Sequence, residues 1–396
     1  MTPSHPAGLL GTPPGSAWPG PDTPHGDDPN PFVRFRHLLW AHHAALAAAL
    51  TDSAYVDMVR RLDDAVAEVD GTGFRTTPLL PVSELAAAFG QRGGLWAKDE
   101  TGNVSGTHKA RHLFGLALHL EVQGVPAETP LAIASCGNAA LGAAVIALAA
   151  GRPLAVHVPV WADPAVVDRL ADLGADIRVC ERREDEVGDP CVLRVRELVA
   201  DGAVAFTCQG TDNLLTLDGG RTLGLELAEQ LAEAGVDESQ LVVQVGGGAL
   251  ASSCIQALAD ATDLDVLPAR PRFHAVQTEG CAPLARAFAL AVDSDDPFDD
   301  SHMWPWHDPS SLATGILDDV VYDWQPLVAT MLEDETAPVV ATEADIAEAH
   351  RLVHAHTDVP ADPTGTAGVA GLLATRRDHT IDADEPAVVL LTGVER

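Results

Sequence analysis

Short apolar runs alternate with helix-length segments through most of the chain, and this pattern favours one class of fold. The apolar runs predict strands at residues 95–98, 131–134, 154–159, 176–180, 203–207, 241–245, 273–276 and 387–391. Segments of roughly 12 residues with helical spacing of apolar positions separate many of these runs. Strands that alternate with helices are typical of a parallel sheet covered by helices, so the pattern predicts an α/β fold.

The N-terminal part of the chain departs from this alternation. Residues 1–31 are rich in proline and glycine and show no periodicity, which predicts a disordered or loosely draped arm. Residues 32–70 have helical spacing, and residues 291–311, rich in Asp, Trp and Pro, predict a long surface loop. A chain of 396 residues most naturally forms two domains.

Composition and charge exclude several classes of partner. The formal net charge of -34 disfavours binding to nucleic acid and to anionic membranes. The six cysteines are far apart and form no CxxC pair, as expected for reduced thiols in a cytoplasmic protein. No apolar run predicts a membrane-spanning helix, and no secretory leader is evident at the N-terminus.

Four polar or glycine-rich turns follow predicted strands. They are SGTHK at residues 105–109, SCGN at 135–138, GGGA at 246–249 and TG at 392–393. Ligands of open α/β sheets bind at the carboxyl ends of strands, so these turns are candidate parts of a ligand site. The glycines at 246–248 suit either a phosphate cradle built from backbone N–H groups or a tight turn without a ligand. The surrounding sequence matches neither a dinucleotide nor a nucleoside-triphosphate motif.

The chain contains only two lysines, Lys98 and Lys109; every other basic residue, histidine apart, is arginine. Arginine cannot replace a reactive amine, because only an ammonium readily loses its proton and attacks a carbonyl. Lys109 directly precedes an apolar helical segment and is the candidate reactive amine, although it could equally be a surface lysine. Lys98, on the strand side of the turn, is interpreted as a structural residue or as a charge at the rim.

Other polar residues have ordinary structural explanations. Asn138 suits a turn or a helix cap, and Cys136 has no identifiable base beside it, which favours a packed thiol over a nucleophile. His350, His354 and His356 have partial helical spacing for a metal ion. No carboxylate pattern in the neighbouring sequence completes such a site, so no metal is predicted.

Taken in order, the turns resemble the fold type II pyridoxal-phosphate enzymes, the tryptophan synthase β-like group that includes threonine synthases and serine/threonine dehydratases. The resemblance spans residues 75–394. It rests on the motifs RTTPLL (75–80), SGTHKAR (105–111), SCGNAALGAA (135–144), DGGRTLGLEL (218–227), VGGGAL (245–250), AVQTEG (275–280) and LLTG (390–393). It implies two three-layer αβα domains with mostly parallel sheets and pyridoxal 5'-phosphate as the cofactor.

The resemblance also implies a role for each turn. Lys109 matches the lysine that holds the cofactor as an internal Schiff base. The matching cofactor-binding residues are Asn138, near the ring hydroxyl; Gly246, Gly247, Gly248, Ala249 and Leu250, around the phosphate; and Thr392, opposite the pyridine nitrogen. The loop that receives the substrate carboxylate comprises Ser135, Cys136, Gly137, Asn138 and Ala139.

This set of residues implies elimination or replacement at the β or γ carbon of an amino acid, because a neutral hydroxyl at the pyridine nitrogen accompanies that chemistry. The chain departs from the family at Cys136 and Ala139, where many members have Ser or Thr, and at Ala249, where a fourth glycine is common. Threonine-synthase-like, dehydratase-like or ammonia-lyase-like, and cysteine-synthase-like reactions stay open, as does a non-catalytic relative. A phosphorylated substrate would require basic groups, for which Arg111, Arg152 and Arg221 are possible donors.

The resemblance predicts a large cofactor-binding domain at residues 32–112 plus 211–396 and a small mobile substrate domain at 113–210. The N-terminal helices and residues 291–325 lie outside the minimal family core, and either could cover the site or form a subunit interface. The protein is expected to act in the cytoplasm on a small amino-acid substrate, as a homodimer.

Overall fold

The computed structural model describes residues 10–20, 22–184, 186–378 and 380–396. In these ranges the strands are β1 Leu79–Pro81, β2 Leu95–Asp99, β3 Leu131–Ala134, β4 Leu154–Pro159, β5 Asp176–Cys180, β6 Val204–Ala205, β7 Gln240–Gln244, β8 Arg272–Thr278, β9 Val339–Ala341 and β10 Ala387–Leu391. The helices are α1 Pro31–Arg34, α2 Trp40–Ala47, α3 Asp52–Asp70, α4 Ser83–Ala88, α5 Lys109–Val122, α6 Asn138–Ala149, α7 Pro164–Asp172, α8 Pro190–Ala200, α9 Thr216–Ala234, α10 Ala249–Asp263, α11 Pro283–Val292, α12 Trp324–Glu333, α13 Glu343–His356 and α14 Ala367–Asp378. The predicted alternation of strands and helices is confirmed.

The chain divides into two compact units. The first unit comprises residues 10–11, Thr77–Gly102 and Leu223–Arg396, and the second comprises Thr12–Thr76 and Asn103–Thr222. This division groups the N-terminal helices with residues 113–210, whereas the sequence predicted them in the large domain. The predicted functional division into a cofactor domain and a mobile substrate domain stays a prediction.

The first unit is built on a six-stranded sheet with the order β1-β2-β10-β7-β8-β9. Only β1 runs antiparallel, against β2; the other neighbours in this sheet are parallel. Strands β7 and β10 are buried throughout, in agreement with the apolar centre of β7 and the continuous apolar sequence of β10. Helix α14 packs closely on this sheet, because a Cβ at Gly368 would lie only 2.8 Å from the carbonyl oxygen of Val242.

The second unit contains a parallel four-stranded sheet with the order β5-β4-β3-β6. Helices α6 and α8 pack against β3 and β4, and α6 also packs against α5 and α3. Small residues allow this close packing of helices: a Cβ at Gly142 of α6 would lie 3.6 Å from the Cα of Ala110 in α5. Parallel sheets with crossover helices in both units agree with the predicted α/β fold.

The described part of the N-terminal arm contacts the rest of its own unit. The Trp18 ring packs edge-on against Phe35, and the Asn30 side chain accepts a hydrogen bond from the Phe32 amide at the start of α1. Residues 1–9 and 21 of the predicted arm lie outside the described residues. Within the described ranges, no helix is both long enough and apolar enough to span a membrane.

Candidate active site

The turn before Lys109 has an unusual backbone that the second unit holds in place. Ser105 adopts a left-handed conformation with φ of 54°, within a short 3-10 helix that ends at Gly106 with φ of 58°. A left-handed conformation is costly for a residue other than glycine. The carboxylate of Asp70, at the end of α3, accepts a hydrogen bond from the Ser105 amide, with 2.9 Å between oxygen and nitrogen. This bond stabilises the turn. Helix α5 then begins at Lys109.

The two lysines have opposite environments. Lys109 is half-buried, and no hydrogen bond or ion pair joins its ammonium to another side chain of the described residues. Lys98 is fully buried, and its Nζ lies 2.7 Å from a carboxylate oxygen of Glu226, which is also fully buried. Lys98 is therefore structural, and its interpretation as a rim charge is wrong. Of the two, only Lys109 has an ammonium without an ion-pair partner in the described residues, so it stays the candidate reactive amine.

Close to Lys109 along α5, His112 is buried and electrically neutral near neutral pH. Burial, with the neighbouring charges of Lys109 and Arg111, lowers the pKa of His112 to about 4. One ring nitrogen lies 2.9 Å from the carbonyl oxygen of Thr216, so the neutral ring donates its Nδ1–H there. The neutral ring adds no second positive charge beside Lys109.

The loop 135–139 lies between β3 and α6 in the same unit as Lys109. The amide of Ser135 donates to the carbonyl of His157, and the Gly137 amide donates weakly to the Ser135 hydroxyl at 3.4 Å. Helix α6 begins at Asn138 without a side-chain cap at Gly137, so its first N–H groups suit an anion such as a carboxylate. Burial raises the pKa of the Cys136 thiol, which agrees with a packed thiol.

The three glycines after β7 lie in the first unit and lead directly into α10. Gly248 has φ of 103°, in the left-handed region, and no side chain caps the helix that begins at Ala249. Backbone N–H groups at such a helix start point toward a bound anion. The sequence prediction left a tight turn and a phosphate cradle open, and this local geometry suits the cradle.

Residues 316–323 make glycine necessary in this loop. A Cβ at Gly246 would lie 2.9 Å from the Cα of Ile316, and a Cβ at Gly248 would lie 3.1 Å from a methyl group of Val321. These distances leave little or no room for a side chain. Part of residues 291–325, which lie outside the minimal family core, therefore packs directly against the glycine loop.

Thr392 is buried just past the end of β10, where Gln244 positions its hydroxyl. The side-chain amide of Gln244 donates to the Thr392 hydroxyl oxygen at 2.7 Å and to the Leu390 carbonyl oxygen at 3.0 Å. Sequence reasoning missed Gln244, and its signal was a polar residue at the end of the otherwise apolar strand LVVQV. The Thr392 oxygen accepts this hydrogen bond, so Gln244 fixes the orientation of the hydroxyl.

We expect Gln244→Met to weaken cofactor binding and to lower the free energy of unfolding by about 1–3 kcal/mol, since buried acceptors lose their donor. Urea unfolding of the cofactor-free protein and a cofactor titration measure the two effects. Gln240→Met is the matched control at the other end of the same strand, where Gln240 contacts His274 and Glu385. Equal cofactor affinity in the two variants would contradict a positioning role for Gln244.

The motif DGGRTLGLEL has a structural role at its first residues. Asp218 is buried and accepts hydrogen bonds from the backbone amides of Trp40 and Ala41, at the start of α2, and from His119. Burial acts to raise the pKa of Asp218, but these hydrogen bonds and nearby positive charge lower it overall. The carboxylate therefore joins α2, α5 and α9 within the second unit.

These features fit pyridoxal phosphate. A phosphate group requires backbone N–H donors, and the glycine loop before α10 begins that helix without a side-chain cap. An aldehyde requires an amine that is not held in an ion pair, and Lys109 meets this condition in the described part of the chain. A neutral partner for the pyridine nitrogen can be a hydroxyl group. Thr392 provides a hydroxyl, and Gln244 positions it.

Comparison with known proteins agrees with this assignment. A family model described as pyridoxal-phosphate dependent enzyme matches residues 72–393. The chain is 24% identical over 318 residues to threonine synthase from Synechocystis sp., covering 80% of this chain and 75% of that protein. It is 26% identical over 211 residues to diaminopropionate ammonia-lyase from Escherichia coli, covering 48% and 52% of the two chains.

Solved structures show the same fold. Maize serine racemase superposes with a TM-score of 0.66 at 20% identity, covering 86% of this chain and 93% of that chain. A threonine deaminase from T.th. superposes with a TM-score of 0.64 at 21% identity, covering 85% and 98%. The predicted fold type and cofactor are confirmed, and this chain belongs to the pyridoxal-phosphate-dependent enzyme family.

Proposed function

We propose that this enzyme removes the Cα proton and the β substituent of a small, non-phosphorylated amino acid, after which water hydrolyses the unsaturated product to a keto acid and ammonia. The observation that carries the proposal is the half-buried Lys109, whose amine has no ion-pair partner in the described residues. The names of the relatives support this class of reaction, because they include an ammonia-lyase and a threonine deaminase.

Each turn has a proposed role. Lys109 would hold the cofactor, residues 246–250 would bind its phosphate, and Asn138 and Thr392 would contact its ring. When bound, pyridoxal phosphate supplies an electron sink that stabilises negative charge at the substrate Cα. The Lys109 amine would take the proton from Cα as a general base. The loop 135–139 would orient the substrate carboxylate through the first N–H groups of α6.

The environments of three arginines favour a substrate without a phosphate group. Arg111 and Arg221 are fully buried; Arg111 donates to the Thr222 hydroxyl, and Arg221 donates to the Leu38 carbonyl. Arg152 is also buried and donates to two backbone carbonyls at 2.8 Å. These candidate phosphate donors are engaged with the protein itself. Threonine-synthase-like replacement, which the similarity to threonine synthases favours, is therefore the second candidate.

A substrate panel distinguishes the candidates. Serine, threonine, diaminopropionate, O-acetylserine and phosphohomoserine are each supplied to the cofactor-loaded protein, and keto acid, ammonia and new amino acids are measured. We expect keto acid and ammonia from serine, threonine or diaminopropionate, and none of either product from the Lys109→Ala control.

Other results would favour the alternatives. Conversion of phosphohomoserine alone would favour threonine-synthase-like replacement, and turnover of O-acetylserine only with an added thiol would favour cysteine-synthase-like replacement. Absence of turnover and of any spectral change would favour a non-catalytic relative. The homodimer and the cytoplasmic location stay predictions.

A further inference from the structure

Two histidines of α13 and a glutamate near the C-terminus form a cluster outside the candidate active site. His350 and His354 are one helical turn apart, and their ring centroids are 4.4 Å apart. The carboxylate of Glu395 approaches both rings, at 3.7 Å from His350 Nε2 and 3.4 Å from His354 Nε2. Glu395 thus supplies the carboxylate that the sequence around the histidines lacks.

The spacing of these atoms suits a metal ion. One possible ligand atom from each of the three residues lies within 4.8 Å of the others. Ligand atoms at about 2.0–2.2 Å from a tetrahedral Zn²⁺ ion are about 3.3–3.5 Å apart. His354 Nε2 lies 3.4 Å from one carboxylate oxygen of Glu395, and His350 Nε2 lies 3.7 Å from the other. Two imidazoles and a carboxylate are a ligand set that Zn²⁺ accepts, with a water molecule in the fourth position.

His350 provides a second, independent observation. Its Nε2 atom is buried and has no hydrogen-bond partner among the described residues. A buried polar atom without a partner is costly, and a metal ion would satisfy it. His354 Nε2 lies 3.0 Å from the Ala361 carbonyl oxygen, a contact that a bound metal would replace.

We propose that His350, His354 and Glu395 bind one Zn²⁺-type transition-metal ion. The site lies within the first unit and joins α13 to the C-terminal segment. The Glu395 amide already donates to the Pro360 carbonyl, and Val394 pairs with Ala361, so the backbone that carries Glu395 is fixed beside residues 360–361. Thr392 is three residues before Glu395, so the metal also stabilises the segment that carries Thr392.

Metal binding to the full-length protein tests the site without any measurement of activity. The protein is freed of metal with a chelator and titrated with Zn²⁺ against a chromophoric competitor, and with Co²⁺ while its visible absorption is followed. We expect one equivalent to bind, and Zn²⁺ to raise the midpoint of thermal unfolding. In His350→Ala and His354→Ala, affinity should fall at least about tenfold, because removing even a hydrogen-bond partner of a metal ligand costs about 10–100-fold.

His356→Ala, on the same helix, is the matched control and should bind as the parent protein does. Circular dichroism and the metal-free unfolding midpoint confirm that each variant is folded. The cluster of His37, His42 and Asp52 is a second possible location, although Arg36 already pairs with the Asp52 carboxylate at 2.6 Å. Unchanged binding in both His350→Ala and His354→Ala, loss of binding in His37→Ala instead, or no binding by the parent protein would overturn the proposal.

Discussion

Replacing Lys109 by alanine is expected to lower kcat by about a thousandfold or more, while leaving the protein folded. The amine is proposed both to hold the cofactor and to move the Cα proton, and loss of a general base alone lowers rates by about 10²–10⁴. Since no ion pair in the described residues depends on the ammonium, the free energy of unfolding should change by less than about 0.5 kcal/mol. Single-turnover kinetics and urea unfolding measure the two quantities.

Lys109→Arg sharpens this test. Arginine keeps the positive charge at the start of α5 but cannot provide a neutral amine, so this variant should be as inactive as the alanine variant. Substantial turnover by Lys109→Arg would contradict the proposed chemistry. A large loss of stability in either variant would instead indicate a structural role.

Replacing Lys98 by methionine is expected to destabilise the fold, lowering the free energy of unfolding by about 3–5 kcal/mol. Lys98 Nζ donates to the Glu226 carboxylate at 2.7 Å, to the Thr77 carbonyl at 2.6 Å and to the Gln230 side chain at 2.9 Å. Removing the ammonium takes one cation and its hydrogen bond away from the buried Glu226 carboxylate. Urea unfolding of the parent and variant proteins measures this loss.

The double variant Lys98→Met with Glu226→Gln provides the control. Neutralising the carboxylate removes the buried negative charge that Lys98 faces in the parent protein, so much of the lost stability should return. A cycle of the four proteins isolates the energy of the pair. Additive effects of the two substitutions would contradict a buried ion pair between these residues.

The bounds of many strands and helices follow from local sequence, but the packing of one element against another does not. The predicted strands at 131–134, 154–159, 176–180 and 387–391 have the same bounds in the structure, because their short apolar runs end at turn residues or charges. Helix α9 begins at Thr216, before the predicted start at Gly219, and Asp218 in its first turn accepts a hydrogen bond from the start of α2.

The environment of each site residue depends on distant residues. Glu226 is 128 positions from Lys98 and Gln244 is 148 positions from Thr392, so no local pattern could pair them. The sequence contained the glycines at 246–248, but the contact that excludes side chains comes from residues 316–323. Glu395 is likewise outside the helical spacing that first singled out His350 and His354.

The attachment of the cofactor to one lysine rather than the other tests the central claim most directly. The purified protein is incubated with pyridoxal phosphate, treated with borohydride to fix any covalent linkage, digested, and analysed by mass spectrometry. Only two lysines are present, so the peptide that carries the added mass identifies the residue. We predict complete labelling at Lys109 and none at Lys98. Labelling at Lys98, or no labelled lysine at all, would contradict the account.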